Sequence, residues 1–200
     1  RYRYWSYQNG AVRRWFNGSN SNIEPPGHGN GAWETPYKLD PSNPARIVIA
    51  YTEVYESFNR GSNWNSISGA LANGSSLQQI AIAPSNGERI YAVHGDKIYV
   101  KNTADDSWTT RNLPANNISD LEVDAADMNK VYVTSSGFTN GSKVFRSDDA
   151  GATWTNLSLN LPNISTGAIE LYHPIAGAMF VGTDAGVYYK DDYLSEWVEY

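Results

Sequence analysis

Short runs in which apolar and polar residues alternate recur along the whole chain. In Leu121-Glu122-Val123-Asp124, for example, every second residue is apolar, and stretches of this kind predict half-buried β-strands. No window of useful length shows the 3.6-residue period of an amphipathic helix. The pattern therefore predicts an all-β chain.

The runs come in groups, and each of the last four groups leads to a tryptophan. Trp64, Trp108, Trp154 and Trp197 lie 44, 46 and 43 residues apart. Within a group, clusters of Pro, Asn, Ser and Gly separate the first two runs, and these residue types favour tight reversals of the chain. Each group is predicted to be a four-stranded antiparallel meander, and repeated meanders of this size are typical of the blades of a β-propeller.

The repeat predicts about four and a half blades in a single partial propeller that covers residues 1–200. In the first unit, Trp5–Gln8 and Ala11–Trp15 predict a second and a third strand joined by a two-residue type I′ turn at Asn9-Gly10, with the innermost strand missing. The predicted blades are 1–32 (incomplete), 33–77, 78–117, 118–166 and 167–200. Because such a set would leave sheet edges uncovered, we expect it to be part of a larger propeller or to need further chains.

Composition limits the classes of function. The chain has 7 Trp and 14 Tyr to fill a core, and it has no Cys, which excludes disulfides, zinc–thiolate sites and cysteine nucleophiles. A net charge of -6 disfavours nucleic acid and anionic membranes as partners. No apolar run approaches the roughly 20 residues of a membrane span. We expect no nucleic-acid partner, no membrane insertion, no metal and no cofactor, and Arg1-Tyr2-Arg3-Tyr4 does not resemble the start of a signal peptide.

An eight-residue motif ends at two of the repeated tryptophans. Residues 147–154 match Ser-x-Asp-x-Gly-x-Thr-Trp at every defined position, and residues 57–64 are a softened copy with Asn in place of Asp and of Thr. An Asp here can accept hydrogen bonds across a tight hairpin, Gly supplies a positive φ, and Trp packs beneath. We interpret the motif as structural, since the ligand spacing of a calcium loop is absent. The predicted structural residues are Ser57, Asn59, Gly61, Trp64, Trp108, Ser147, Asp149, Gly151, Thr153, Trp154 and Trp197.

On these residues the chain resembles the Asp-box, or BNR-repeat, β-propellers, in particular the sortilin-like propeller segments of large secreted bacterial proteins. The resemblance covers nearly the whole chain, from Trp5–Gly10 to Val181–Tyr189. It implies an extracellular or cell-surface location, often with export by a type IX secretion system. Related propellers include sialidases, xyloglucan hydrolases and a photosystem assembly factor, so function has to be argued from the site.

Recognition is expected on the face formed by the hairpins between second and third strands and by the connections between blades. These segments vary most between the repeats, and loops on a rigid scaffold commonly carry binding sites. Aromatic rings there could stack on sugar faces, and carboxylates could bind polar groups of a glycan or protein ligand. The predicted binding residues are Trp33, Glu34, Tyr51, Glu53, His94, Asp96 and Asp184. No residue is assigned as catalytic.

Three functions stay open at this point. The leading hypothesis is a non-catalytic interaction or scaffold propeller that binds glycans or proteins. The second is a glycoside hydrolase of the xyloglucanase or sialidase-like type with residues outside this segment, which would need two carboxyl groups facing each other or three converging arginines. The third is a sortilin-like receptor that binds peptides in the tunnel of a wide closed ring, which this length alone cannot provide.

Overall fold

The computed structural model describes residues 1–200, and almost all of its regular structure is β-strand. Two short 3-10 turns, Gln8–Gly10 and Ala72–Gly74, are the exceptions. The strands are β1 (Arg3–Ser6), β2 (Val12–Phe16), β3 (Ser19–Asn22), β4 (Tyr37–Leu39), β5 (Ile47–Ala50), β6 (Val54–Ser57), β7 (Asn65–Ser66), β8 (Gln79–Ile82), β9 (Ile90–His94), β10 (Lys97–Lys101), β11 (Trp108–Asn112), β12 (Ile118–Val123), β13 (Val131–Ser135), β14 (Val144–Ser147), β15 (Thr155–Asn156), β16 (Thr166–Leu171), β17 (Met179–Thr183), β18 (Gly186–Lys190) and β19 (Val198–Glu199).

The strands form five antiparallel meanders in which neighbours in space are neighbours in sequence. Sheet 1 contains β1–β3, sheet 2 β4–β7, sheet 3 β8–β11, sheet 4 β12–β15 and sheet 5 β16–β19. Sheet 1 has three strands and the others have four. The predicted all-β class and the repeated four-stranded sheets are therefore confirmed.

The chain divides into two compact units. Unit 1 comprises residues 1–82, 87–94 and 99–109, and unit 2 comprises 83–86, 95–98 and 110–200. In unit 1, one apolar cluster joins sheets 1 and 2 and a second joins sheets 2 and 3. In unit 2, a third cluster joins sheets 4 and 5. Each cluster forms because alternation along a strand places every second side chain on the same face of its sheet.

The loop between β1 and β2 corrects one prediction. The Tyr7 N–H donates to the Ala11 carbonyl at 2.7 Å, so three residues form the loop and the predicted two-residue type I′ turn is wrong. Asn9 and Gly10 do have positive φ angles, 60° and 106°. Contact with Tyr51 holds this loop: the Tyr51 hydroxyl donates to the Gly10 carbonyl at 2.6 Å, and a Cβ on Gly10 would lie 2.8 Å from the Tyr51 ring.

Each repeated tryptophan links its own sheet to the sheet before it. The indole N–H donates to a main-chain carbonyl at the end of the outermost strand of the preceding sheet, so the four indoles make equivalent hydrogen bonds. The donor and acceptor pairs are Trp64 Nε1 to Ile23 O (2.8 Å), Trp108 Nε1 to Ile67 O (2.7 Å), Trp154 Nε1 to Asn112 O (3.1 Å) and Trp197 Nε1 to Leu157 O (2.8 Å).

The hairpin before Trp154 is closed by hydrogen bonds within the eight-residue motif. Ser147 Oγ donates to Asp149 Oδ1 at 2.8 Å and accepts from the Gly151 N–H at 2.7 Å. Asp149 also accepts from the main-chain N–H and the hydroxyl of Thr153, at 2.8 and 2.7 Å. The softened copy repeats this arrangement, with the side-chain oxygen of Asn59 accepting from the Asn63 N–H at 2.8 Å.

The Asp149 carboxylate is expected to make stability depend on acid pH. Its hydrogen bonds, first those from Thr153, lower the pKa of Asp149 to about 2, below the ordinary value of 3.8. A lowered pKa adds stability that is present above about pH 4 and is lost as the pH falls towards 2. Asp149→Asn is therefore expected to reduce the urea midpoint at pH 7 and to change it much less at pH 2.5. The reciprocal variant Asn59→Asp should gain stability at neutral pH that disappears in acid. A midpoint difference that is the same at both pH values would contradict the assignment.

In the two degenerate copies a lysine takes the position of the motif serine, seven residues before the tryptophan. Lys101 is buried, and its ammonium bonds to the Asp106 carboxylate and lies 3.5 Å from Glu88 Oε2. Lys190 donates to the Asp191 carbonyl at 2.9 Å and to the Leu194 carbonyl. An ammonium group thus closes these hairpins where a hydroxyl–carboxylate pair closes the other two. Both lysines stand at the same position of the motif, and this shared position is the feature of the sequence that marks them as hairpin-closing residues.

Candidate functional site

A cleft of about 510 Å³ opens in unit 1 beside β4, and we call it the Trp33 cleft. Three neighbouring segments line it: the end of β1 with the loop after it, the segment that enters β4, and the start of β8. The lining residues are Ser6, Tyr7, Gln8, Trp33, Glu34, Thr35, Pro36, Tyr37, Lys38, Gln78, Gln79 and Ile80. The cleft thus lies on the face where the sequence predicted recognition, at one hairpin and two connections between sheets.

Trp33 presents a large exposed ring from a backbone that is held in place. Its side chain is 67% exposed, while Thr35 two residues later is buried. The Trp33 carbonyl accepts from the Asn9 N–H at 3.3 Å, and the Pro36 carbonyl accepts from the Ala50 N–H at 3.0 Å. An aromatic ring held at the surface in this way offers a flat apolar face to a ligand.

Two glycines bring the Trp33 segment close to the β1–β2 loop. A Cβ on Gly31 would lie 2.5 Å from the Gly10 Cα and 2.6 Å from Thr35 Oγ1, so the two backbones pass at a distance that only glycine permits. This approach sets the exposed ring of Tyr7 and the ring of Trp33 on the same cleft.

Uncharged polar groups make up most of the remaining lining. Ser6 and the amide-bearing residues Gln8, Gln78 and Gln79 line a cleft in which Glu34 and Lys38 are the charged residues. Such a lining can exchange hydrogen bonds with a neutral polar ligand while the rings stack on its apolar faces. A pair of facing carboxylates, which glycoside hydrolysis requires, is not present among these residues.

Of the seven predicted binding residues, Trp33 and Glu34 line this cleft and five do not. Tyr51 is buried, its hydroxyl bonds to Gly10, and its ring packs 4.1 Å from the His28 ring between centroids. Desolvation by burial is the main cause that raises its pKa. Tyr51 therefore supports the β1–β2 loop from inside the protein. The prediction that Tyr51 binds a ligand at the surface is wrong, because its side chain is buried.

The other four predicted binding residues lie in three hairpins between second and third strands, with His94 and Asp96 in the same one. Glu53 accepts from the Ser66 hydroxyl at 2.6 Å, and His94 Nδ1 lies 2.8 Å from the Ser76 carbonyl oxygen. Asp96 pairs with Lys97 at 2.9 Å, and that hydrogen bond lowers the pKa of Asp96. Asp184 is exposed in the turn between β17 and β18. The structure thus does not gather these four with Trp33.

Sequence reasoning missed Tyr7, Gln8, Gln78 and Gln79 as lining residues. Glutamines carry no charge and belong to no motif, so no pattern distinguished these from other surface amides. Tyr7 follows directly on Trp5-Ser6 at the end of a strand, and an aromatic residue at the tip of a predicted hairpin was a usable but weak signal.

A buried ion cluster lies at the first turn of sheet 2. The Arg46 side chain is 3% exposed and donates to Asp40 Oδ2 at 2.9 Å, to Glu56 Oε2 at 2.9 Å and to the Gly87 carbonyl at 2.6 Å. Desolvation alone would raise the pKa of Asp40, but hydrogen bonds from Ser42 and Arg46 outweigh it and hold the pKa below its usual value. Within unit 1 the cluster thus links the first turn of sheet 2 to Gly87, which precedes β9.

The equivalent position in unit 2 is open. Lys130 stands where sheet 2 has Arg46, and a second cleft of about 470 Å³ lies between the first turns of sheets 4 and 5. It is lined by Lys130 and Arg146 and also by Asp124 and Asp192, so its charges are mixed. Tyr132 lies at its base, where burial raises the Tyr132 pKa to about 12.

No group of three or more His, Asp or Glu side chains is arranged to hold a metal ion. No helix has the length and apolar character needed to cross a bilayer.

Comparisons with known proteins define the class of fold. No protein-family model matches the chain, and no curated protein sequence does so either. Among solved structures, an ancestral GH74 enzyme matches 98% of this chain and 29% of its own, with a TM-score of 0.70 and 16% identity. YCF48 bound to D1 peptide matches 94% of this chain and 60% of its own (TM-score 0.64, 17% identity), and U3-55K matches 98% and 60% (TM-score 0.71, 13% identity).

These solved structures are β-propellers, and at such low identity the likeness shows the fold alone. The chain is thus an all-β protein of the β-propeller class, with five sheets of three or four strands. It spans less than two thirds of the length of each of the three proteins.

Proposed function

We propose that this chain is a non-catalytic, ligand-binding part of a β-propeller and that the Trp33 cleft binds a neutral glycan. The observation that carries the proposal is the 67% exposed Trp33 ring on a hydrogen-bonded backbone, in a cleft that Tyr7 and three glutamines also line. Aromatic faces provide apolar contact area for the C–H faces of sugar rings, and amides bind the hydroxyl groups between them.

The hairpin motif supports a more specific placement. The Ser147–Trp154 hairpin has the residues of an Asp box and closes through its Ser and Asp side chains. We propose on this basis that the chain is an Asp-box propeller of the sortilin-like kind and that it works outside the cell or on its surface. Immunodetection of the protein in the culture supernatant or on intact cells, with a cytoplasmic protein as the control, would test the location.

Two alternatives are favoured by particular observations. The similarity to a GH74 enzyme favours a glycoside hydrolase, but Glu34 is the single carboxylate that lines the Trp33 cleft, so a second would have to come from outside this chain. The similarity to YCF48 bound to D1 peptide favours a peptide ligand. The hydrolase alternative predicts a different result for the Glu34→Gln variant described below.

Trp33→Ala is expected to weaken glycan binding at least about tenfold, since loss of one stacked ring costs roughly 1.4 kcal/mol. The probes are cellohexaose and a xyloglucan heptasaccharide, measured by isothermal titration calorimetry with the whole chain. Tyr193→Ala is the matched control, because Tyr193 is 85% exposed and lies outside the cleft.

The same sugars separate binding from hydrolysis. Binding with no release of shorter products supports the proposal, and Glu34→Gln should then leave the sugars intact and bound. Cleavage that Glu34→Gln abolishes would establish the hydrolase instead. Failure of both sugars to bind, or equal affinity for the Trp33→Ala protein, would overturn the glycan proposal.

A further inference from the structure

The first turn of sheet 4 repeats the hydrogen bonds of the first turn of sheet 2. The Asp124 N–H donates to the Lys130 carbonyl at 2.9 Å, as the Asp40 N–H does to the Arg46 carbonyl at 3.1 Å. Asp124 Oδ1 accepts from the N–H groups two and three residues further on, and Asp40 Oδ1 does the same. Lys130 therefore stands at the position of Arg46, and the two turns can be compared residue by residue.

The side chains around these two cations differ in charge. Arg46 is neutralised by Asp40 and by Glu56, which stands one residue before the motif serine of its sheet. At that position, one residue before Ser147, sheet 4 has Arg146. Sheet 4 thus has a second cation where sheet 2 has a carboxylate.

Lys130 has no counter-charge in the cleft between the first turns of sheets 4 and 5, which we call the Lys130 cleft. Its ammonium makes no ion pair and no hydrogen bond, whereas both carboxylates paired with Arg46 lie at 2.9 Å. Arg146 pairs with Asp148 through Nε and Nη2, at 3.1 and 3.0 Å, and its Nη1 has no partner. Asp192 also lines the cleft, but it is exposed and pairs with neither cation. One unpaired ammonium and one unpaired guanidinium nitrogen thus belong to this lining.

A third donor lies at the base of the Lys130 cleft. Tyr132 is 5% exposed, and its hydroxyl has no hydrogen-bond partner although the residue lines the cleft. Buried hydroxyl groups ordinarily have a partner, so this one is a donor to which a ligand can bind. Burial is the largest cause that raises the pKa of Tyr132 to about 12, so the hydroxyl keeps its proton at neutral pH and can donate a hydrogen bond.

Apolar side chains form another part of the lining. Leu171 and the exposed Tyr172 and Ile175 come from the end of β16 and the turn after it. The volume of about 470 Å³ is within the range of about 300–1,000 Å³ for small-molecule sites. The whole lining comes from residues 124–192 of sheets 4 and 5, and both sheets have four strands.

We propose that the Lys130 cleft binds a small apolar carboxylic acid. The carboxylate lies between Lys130 and Arg146, accepts from the Tyr132 hydroxyl and takes the place that the Glu56 carboxylate has in sheet 2. Hydrogen bonds from a charged donor to a carboxylate are stronger than those between neutral groups. The apolar part of the acid lies against Leu171 and the turn after it. The Trp33 cleft belongs to unit 1 and takes no part, so the two proposals can fail independently.

Three six-carbon probes separate charge from apolar contact. Hexanoate carries the carboxylate, hexanamide is its neutral analogue and hexylammonium has the opposite charge. In proton–nitrogen correlation NMR spectra of the whole chain, hexanoate is expected to shift the amide signals of residues 124–130 and 172–178 in a saturable manner. Hexanamide should bind at least about tenfold more weakly. Hexylammonium should cause no such shifts.

Variants of the two cations locate the carboxylate. Lys130→Gln is expected to weaken hexanoate binding at least about tenfold, since it removes the unpaired charge and keeps a polar side chain. Lys97→Gln removes a lysine charge in a different hairpin and is the matched control, which should leave binding unchanged. Arg146→Glu should abolish binding, because it places a carboxylate where the acid would have its own. Circular dichroism checks that each variant is folded.

Tyr132→Phe separates binding from stability. The hydroxyl has no partner within the chain, and the ring that packs in the cluster of sheets 4 and 5 is kept, so the urea midpoint should stay the same or rise. The same change should weaken hexanoate about threefold or more, because the carboxylate loses a donor. Unchanged affinity in the folded Tyr132→Phe protein would contradict the assigned role of the hydroxyl.

Three results would overturn the proposal. The first is no saturable shift with hexanoate, or equal affinity for hexanamide, which would leave Lys130 as a solvated charge. The second is tighter binding of hexylammonium, which would mean that Asp124 and Asp192 determine the ligand. The third is binding of an acetylated Ala-Ala-Leu peptide with a free carboxyl end but not of hexanoate, which would make the end of a polypeptide the occupant in place of a small acid.

Discussion

Replacing Arg46 by Met is expected to lower the free energy of unfolding by about 3–5 kcal/mol, the cost of leaving a buried charge without its partner. The Arg46 guanidinium is 3% exposed and satisfies Asp40, Glu56 and the Gly87 carbonyl together. Its loss would leave the buried Asp40 carboxylate with hydrogen bonds from Ser42 and Asn43 but without the positive charge that faces it. Urea denaturation followed by tryptophan fluorescence measures the change.

Two controls make the Arg46 result specific. Arg146→Met removes an arginine that pairs with Asp148 at a half-exposed site, where about 0–1 kcal/mol is expected. Combining Arg46→Met with Asp40→Asn should cost less than the sum of the two single changes, because the second change removes the uncompensated charge. A loss below about 1 kcal/mol for Arg46→Met would show that the cluster contributes little to stability.

Replacing Trp197 by Ala is expected to cost about 3–5 kcal/mol, the range for removing a large buried aromatic side chain. Trp197 is buried in the cluster that joins sheets 4 and 5, which also contains Tyr132, Leu161 and Leu171. Its indole N–H donates to the Leu157 carbonyl at 2.8 Å, so the change removes apolar contact area and a hydrogen bond between sheets. The same denaturation experiment reports the effect.

The Trp197→Phe variant measures how much that hydrogen bond alone contributes to the free energy of unfolding. Phenylalanine keeps most of the ring contacts but leaves the Leu157 carbonyl without its donor, and a loss of about 1–3 kcal/mol is expected. Tyr193→Ala, at a side chain that is 85% exposed, should change stability by less than about 0.5 kcal/mol. Equal effects of Trp197→Ala and Tyr193→Ala would contradict a role for the tryptophan in joining the sheets.

Much of the fold could be predicted because each repeat is marked by patterns of residues that are close together in the sequence. The run Ala11–Trp15 was predicted as a strand, and all but its first residue lie in β2; the alternating run that starts at Leu121 lies in β12 as far as Val123. β-Branched and aromatic residues in alternation favour strands locally, and the tryptophan interval then aligned one sheet with the next.

The candidate site was predicted only in part because it depends on contacts between distant segments. Trp33 and Glu34 were selected from sequence, but Gln78 and Gln79 reach the same cleft from a later sheet. Tyr51 and Trp33 were both predicted to bind a ligand because of their aromatic rings. The structure buries the Tyr51 ring and exposes the Trp33 ring. Aromatic character alone does not distinguish these two outcomes.

The amino-acid sequence by itself determined the all-β class, the antiparallel order of strands and the positions of the linking tryptophans, because each depends on residues that are close together in the chain. Only the tertiary structure decided that Tyr51 closes the β1–β2 loop from within and that Arg46 is buried whereas Lys130 lines a cleft. Such features depend on how segments some 40 residues apart pack, as with Tyr51 and Gly10, and that packing follows from the shape and burial of whole sheets.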